Sequence, residues 1–260
     1  MDAGSTPDAT MPPHAMEVAV MLVLAVHGSA VPAAAATVSR LTATVEALSG
    51  VRAVVGHLDV QRPSLAEAVR AHPRAVVVPL LLGDGYHRRV DLPAALDGTG
   101  CVLTEGLSGE RDVAHALYGR LREAERRRGP YTRADAVVVA GAGSSRPGGN
   151  DGTRTCAAQL AALLEDDRGP DPVPVLPACL TSAGPTVAEA LAALRGAGYR
   201  RVAVGAHLLA PGRFTRALAG AGAWAVSEPL ADHPRLARLV VDRYESARGT
   251  RVLRAARLAC

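Results

Sequence analysis

Residues 22–32 read Leu-Val-Leu-Ala-Val-His-Gly-Ser-Ala-Val-Pro, and residues 137–147 read Val-Val-Val-Ala-Gly-Ala-Gly-Ser-Ser-Arg-Pro. Each is a short apolar run with no polar alternation. It breaks into a Gly-Ser turn and then meets a proline. A continuous apolar run of this length predicts a strand buried on both faces, and the turn and proline predict a helix entered soon after it. The same phrase occurs twice, so the neighbouring segments can be compared.

They match in order. Pro63-Ser-Leu-Ala-Glu-Ala answers Pro185-Thr-Val-Ala-Glu-Ala. Leu81-Leu82 followed by Gly85 answers Leu208-Leu209 followed by Gly212, and Glu105 and Arg120 answer Glu228 and Arg243. Four ordered matches at nearly constant offset indicate a tandem duplication. Strands are predicted over 21–26, 54–60, 75–82 and 101–104, then over 136–141, 173–176, 202–207 and 223–226. Helices are predicted over 33–48, 64–71, 92–96 and 112–127, then over 153–165, 187–195 and 234–247. Apolar strands alternating with helices predict parallel sheets covered by helices on both faces. Residues 1–15 read as a disordered tail, 16–130 and 131–250 as the two halves, and 251–260 as a second tail.

Composition excludes several functions. The 260 residues contain one Phe, one Trp and no Lys, so all 29 basic residues are Arg. Without an amine there is no Schiff-base lysine and no nucleotide loop of the Walker kind. With 3% aromatics and scattered basic residues at a net charge of +4, no nucleic-acid surface is expected. Four cysteines without paired spacing fit a reduced, cytoplasmic chain. The apolar stretch 16–36 is interrupted by His27-Gly28-Ser29, no Lys or Arg precedes it, and Asp2, Asp8 and Glu17 carry the wrong sign for a leader, so neither a signal peptide nor a membrane span is expected.

The halves differ where chemistry would sit. His27 faces Ala142, His87 faces Phe214, and Asp59 faces Thr181. All three first-half residues are predicted at or just beyond strand ends, the edge of a parallel sheet where ligands bind. Two imidazoles and a carboxylate suit a divalent transition metal and can accept protons near neutral pH. The other histidines, His57 and His207 included, read as surface or satisfied core residues. Ser29 reads as a helix N-cap or a ligand hydrogen-bonder. Arg88 and Arg89 read as a loop tip or a clamp for acidic groups.

The phrase Val26-His27-Gly28-Ser29 with Pro32 resembles the opening of the sirohydrochlorin chelatase and cobaltochelatase family. Residues 77–93, Val-Val-Pro-Leu-Leu-Leu-Gly-Asp-Gly-Tyr-His-Arg-Arg-Val-Asp-Leu-Pro, are similar to its most specific segment. Leu58-Asp59 with Pro63-Ser64, and Leu209-Ala-Pro-Gly-Arg-Phe214 with Glu228-Pro-Leu230, resemble further segments of its two-domain members.

The resemblance implies two tandem chelatase-like, flavodoxin-like α/β domains around a cleft. It implies a class II chelatase that inserts a divalent metal, Fe(II) or alternatively Co(II) or Ni(II), into sirohydrochlorin without a nucleotide. It implies His27 and His87 as the metal-handling pair, with Asp59 as a third ligand where the family carries Glu. Ser29, Arg88, Arg89 and Arg213 are expected to hold tetrapyrrole carboxylates. The expected partner is the tetrapyrrole, with neither membrane nor nucleic acid, and the chain is expected to be a monomer or homodimer. Two other classes stay open: a tetrapyrrole or metal carrier without turnover, and a two-lobed periplasmic binding protein.

Overall fold

The computed structural model describes residues 20–83, 90–169, 171–181 and 184–258, with side chains as far as residue 250. Two four-stranded parallel sheets are formed. In the first the order is β2-β1-β3-β4, with β1 Leu22–Val26, β2 Ala53–His57, β3 Val76–Pro79 and β4 Val102–Leu103. In the second it is β6-β5-β7-β8, with β5 Ala136–Gly141, β6 Val175–Cys179, β7 Val202–His207 and β8 Ala225–Val226. The duplicated phrase forms the central strand of each sheet, and β1 and β5 are buried along their whole length. Register makes the repeat concrete. Val26 pairs with His57 in the first sheet, whereas Gly141 pairs with both Cys179 and His207 in the second.

Helix α1, Pro32–Ser49, starts on a proline whose fixed φ suits the first turn. It ends at Gly50, which takes φ 67 and returns its N–H to the Glu46 carbonyl. Ala34, Thr37, Leu41 and Val45 form its buried stripe. Helices α2 (Leu65–Ala71) and α6 (Val187–Gly196) begin at the repeated Pro-Ser/Thr-x-x-Glu phrase. Ser64 with Glu67, and Thr186 with Glu189, close reciprocal capping boxes. The remaining helices are α3 Leu92–Leu96, α4 Arg111–Arg128, α5 Asp151–Arg168, α7 Arg213–Ala219 and α8 Pro234–Leu258.

Three departures from the sequence expectation have physical causes. Strand β2 stops at His57 instead of Val60, because Val60 takes φ 63 in a tight turn. Strand β6 runs through Pro177 instead of stopping before it. It is an edge strand paired only with β5, so the missing N–H costs no ladder bond. Helix α7 has one buried residue, Leu218, and therefore no apolar stripe to announce it.

The last helix of each half crosses to the other. Helix α4 packs on β7 and β8, and a Cβ on Gly205 of β7 would lie 3.2 Å from the Leu117 side chain. Arg128 of α4 also stacks over Trp224. Helix α8 packs on α1 and β3, and the Tyr244 hydroxyl donates to the Val20 carbonyl at 2.6 Å. One core thus runs between the sheets, taking Leu22, Leu24 and Val26 from β1, Val137 and Val139 from β5, and the buried faces of α1, α4, α5 and α8. Smaller cores lie under α2 and α3 on the first sheet and under α6 and α7 on the second. The exchange welds the halves, and it holds the C-terminal ends of both sheets against one opening.

Candidate functional site at the seam of the two sheets

That opening is a cavity of about 690 Å³. Its walls are the residues that follow β1, β3, β5 and β7. Leu80, Leu81, Leu82, Leu208 and Leu209 supply apolar surface, and His27 and Ser29 supply polar groups from the first half. His207, Thr153 and Arg213 supply polar groups from the second. A mostly apolar hollow with a few convergent polar groups is the usual form of a small-molecule site.

His27 is the first residue beyond β1 and is exposed at the cavity. Its turn is stitched to the β2–α2 loop. The Asp59 N–H donates to the His27 carbonyl at 2.9 Å, and the Ser29 N–H donates to Gln61 Oε1 at 2.9 Å. Gly28 sits between them at φ 97, where a Cβ would fall 2.1 Å from the Asp59 carbonyl oxygen. Gly28→Ala should therefore cost more than Gly50→Ala. Gly50 shares the left-handed conformation, at φ 67, but faces open space. The second change costs roughly 1 kcal/mol for backbone alone, and the first adds displacement of the Asp59 loop. Urea unfolding of the two variants checks the difference.

Of the expected site residues, the cavity gathers His27, Ser29 and Arg213. Ser29 is not the N-cap of α1, which is Val31; its hydroxyl accepts the Val31 N–H at 3.2 Å, before the helix begins. Arg213 lies over the Phe214 ring, with its guanidinium carbon 5.0 Å from the centroid. Asp59 is not gathered. It is exposed, its carboxylate accepts the Val60 N–H at 2.8 Å, and the residue does not line the cavity. His87, Arg88 and Arg89 lie outside the described residues. Among the described residues no three His, Cys, Asp or Glu side chains cluster to hold a metal.

Two histidines read as bland from the sequence line the cavity instead. His57 ends β2, and its buried Nδ1 has no hydrogen-bond partner. His207 ends β7 and is 3% exposed; its Nδ1 lies 3.1 Å from Thr153 Oγ1, and its Nε2 has no partner. A signal for His207 was present in the repeat. Leu208-Leu209 matches Leu81-Leu82, so the preceding His207 stands where the first half has Leu80. Burial lowers the His207 pKa to about 4. The folded chain therefore keeps this imidazole neutral where the unfolded chain protonates it. Its contribution to stability is fully present above pH 6.5 and is lost as pH falls from 6.5 through 4, a total loss of about 3 kcal/mol. His207→Leu should flatten the fall in urea stability between pH 7 and pH 4.5, and an unchanged slope would refute the assignment.

The CbiX family model matches residues 21–124 and 136–247, one match on each half. The chain belongs to the CbiX family. The two CbiX matches fall on the two sheets, so the family unit is the repeat itself. Solved structures show the same fold. SirB from Bacillus subtilis with Fe3+ is 22% identical with a TM-score of 0.65, over 86% of this chain and 94% of that one. The sirohydrochlorin chelatase SirB from Bacillus subtilis subspecies spizizenii, in complex with cobalt, is 20% identical with a TM-score of 0.62, over 87% and 94%. CbiX, described as the terminal enzyme for biosynthesis of siroheme in denitrifying bacteria, is 18% identical with a TM-score of 0.63, over 88% and 99%. No curated protein sequence matches the chain. No described helix is long and apolar enough to cross a membrane.

Proposed function

We propose that this chain is a class II chelatase that inserts a divalent metal, Fe(II) first and Co(II) as the alternative, into sirohydrochlorin without a nucleotide. The observation that carries the proposal is the cavity between the sheets, with apolar walls, an imidazole at one edge and an arginine on the other half. A flat macrocycle with an ionised rim needs that combination: leucine surface for its faces and guanidinium for its carboxylates. Arg213 has no carboxylate partner among the described residues and is already braced on Phe214.

Insertion exchanges two pyrrole N–H protons for one M(II) ion. The macrocycle loses two protons, and the ion sheds water as it gains four nitrogen ligands. His27, with His87 as its expected partner, holds the incoming ion in a partly open coordination sphere and accepts protons released beside it. Cavity walls that fit a bent macrocycle better than a flat one would turn its lone pairs toward the ion. Neither buried thiol lines the cavity, and burial pushes Cys156 up to about 12 and raises Cys179 as well. One chain supplies both walls, so a monomer suffices, and we place it in the cytoplasm.

Anaerobic incubation with sirohydrochlorin and either Fe(II) or Co(II), followed by absorbance, tests the proposal. Catalysed insertion with at least one metal is expected. Stoichiometric binding of the tetrapyrrole with no rate above the uncatalysed one would overturn it in favour of a carrier.

A further inference from the structure

The same backbone group is held in both halves, but by different means. In the second half the Ser144 N–H donates to Asn150 Oδ1 at 2.8 Å, and Asn150 Nδ2 donates back to the Ser144 carbonyl at 3.1 Å. Both ends of that amide serve the turn. In the first half the matching Ser29 N–H donates to Gln61 Oε1 at 2.9 Å. An N–H requires an oxygen acceptor, so the amide orientation of Gln61 is fixed by this bond. Its Nε2 has no acceptor among the described residues, and Gln61 lines the cavity.

The loop that delivers Gln61 is strained. The Gln61 N–H donates to the Asp59 carbonyl at 2.7 Å, closing a three-residue turn about Val60 at φ 63. A β-branched residue rarely takes that conformation, and Val60 is 65% exposed, so no burial of its side chain offsets the strain. Such strain persists where neighbouring contacts over-determine it, often beside a site. Here those contacts are the Asp59 and Gln61 bonds to the His27 turn.

The geometry points to Gln61 as a residue with two roles: its oxygen positions the His27 turn, and its Nε2 donates to a carboxylate on the rim of the bound tetrapyrrole. The second role rests on the chelatase reading above. Substitution separates the roles. Gln61→Glu keeps an oxygen for the Ser29 N–H but replaces the donor with a negative charge. Gln61→Ala removes both.

The experiment compares both variants with the parent chain in anaerobic Co(II) insertion, and in binding of metal-free sirohydrochlorin followed by fluorescence quenching. Gln61→Glu should weaken binding and raise KM by about tenfold or more, as a lost charge-assisted hydrogen bond does, while kcat stays within about twofold. Gln61→Ala should also lower kcat by about tenfold, the loss that a misplaced imidazole brings. Unchanged KM and binding in Gln61→Glu would overturn the rim contact. Unchanged kcat in Gln61→Ala would overturn the positioning role. A parent chain that binds the tetrapyrrole without turnover defeats the chelatase reading but leaves the rim contact open to the binding arm. A parent chain that does neither defeats both.

Discussion

His27→Ala is expected to lower metal insertion by at least about a hundredfold, the lower range for removal of a group that takes a proton in the transition state. Binding of the metal-free tetrapyrrole should change by no more than about threefold, because the apolar walls and Arg213 remain. The asymmetry matters more than the loss. A residue that merely shaped the turn would weaken binding and turnover together, whereas one that handles the ion weakens turnover alone. The backbone bonds around it, Asp59 N–H to the His27 carbonyl and Ser29 N–H to Gln61, do not involve the His27 side chain. The turn should therefore survive the substitution. Full activity in His27→Ala would refute the site. His87→Ala should behave in the same way, since the family resemblance pairs the two imidazoles.

The second large effect concerns the joint between the halves. Glu125 on α4 is fully buried. Its Oε1 accepts from Arg168 at 2.7 Å and from the Ala134 N–H at 2.9 Å, and its other oxygen pairs with Arg122. Arg168 ends α5 and also donates to the Ala134 carbonyl at 2.5 Å. One carboxylate thus ties together α4, the segment entering the second sheet, and α5. Glu125→Ala leaves the mostly buried guanidinium of Arg168 with only the more distant Asp167 carboxylate, 4.0 Å from its Nε, and leaves the Ala134 N–H without its acceptor. Breaking a buried pair from one side costs about 3–5 kcal/mol, against a total stability of about 5–15 kcal/mol for ordinary domains. Urea unfolding should show that loss as a lower midpoint with an unchanged slope. A shift worth less than about 1 kcal/mol would show that water replaces the carboxylate without penalty.

Much of the architecture was legible because the chain states it twice. The buried runs 22–26 and 136–141, the repeated phrase at Pro63 and Pro185, and the contrast of His27 with Ala142 all come from comparing one half with the other. What stayed hidden depends on distance in space. Periodicity shows that α4 and α8 each carry an apolar stripe, but it does not say which sheet the stripe meets, so the exchange of last helices has no sequence signature. Gln61 gave no signal, because its role depends on a turn at Val60 that a β-branched residue argues against. Asp59 looked like a ligand by type and position; the same turn leaves its carboxylate outside the cavity lining, bonded to the Val60 N–H.

A crystal soaked anaerobically in Co(II), with anomalous difference maps recorded at the cobalt edge, shows directly whether His27 holds the ion. One dominant peak is expected within bonding distance of a His27 ring nitrogen, inside the cavity between the two sheets. A dominant peak at any other histidine with His27 unoccupied, or on the outer surface of either half, would contradict that expectation.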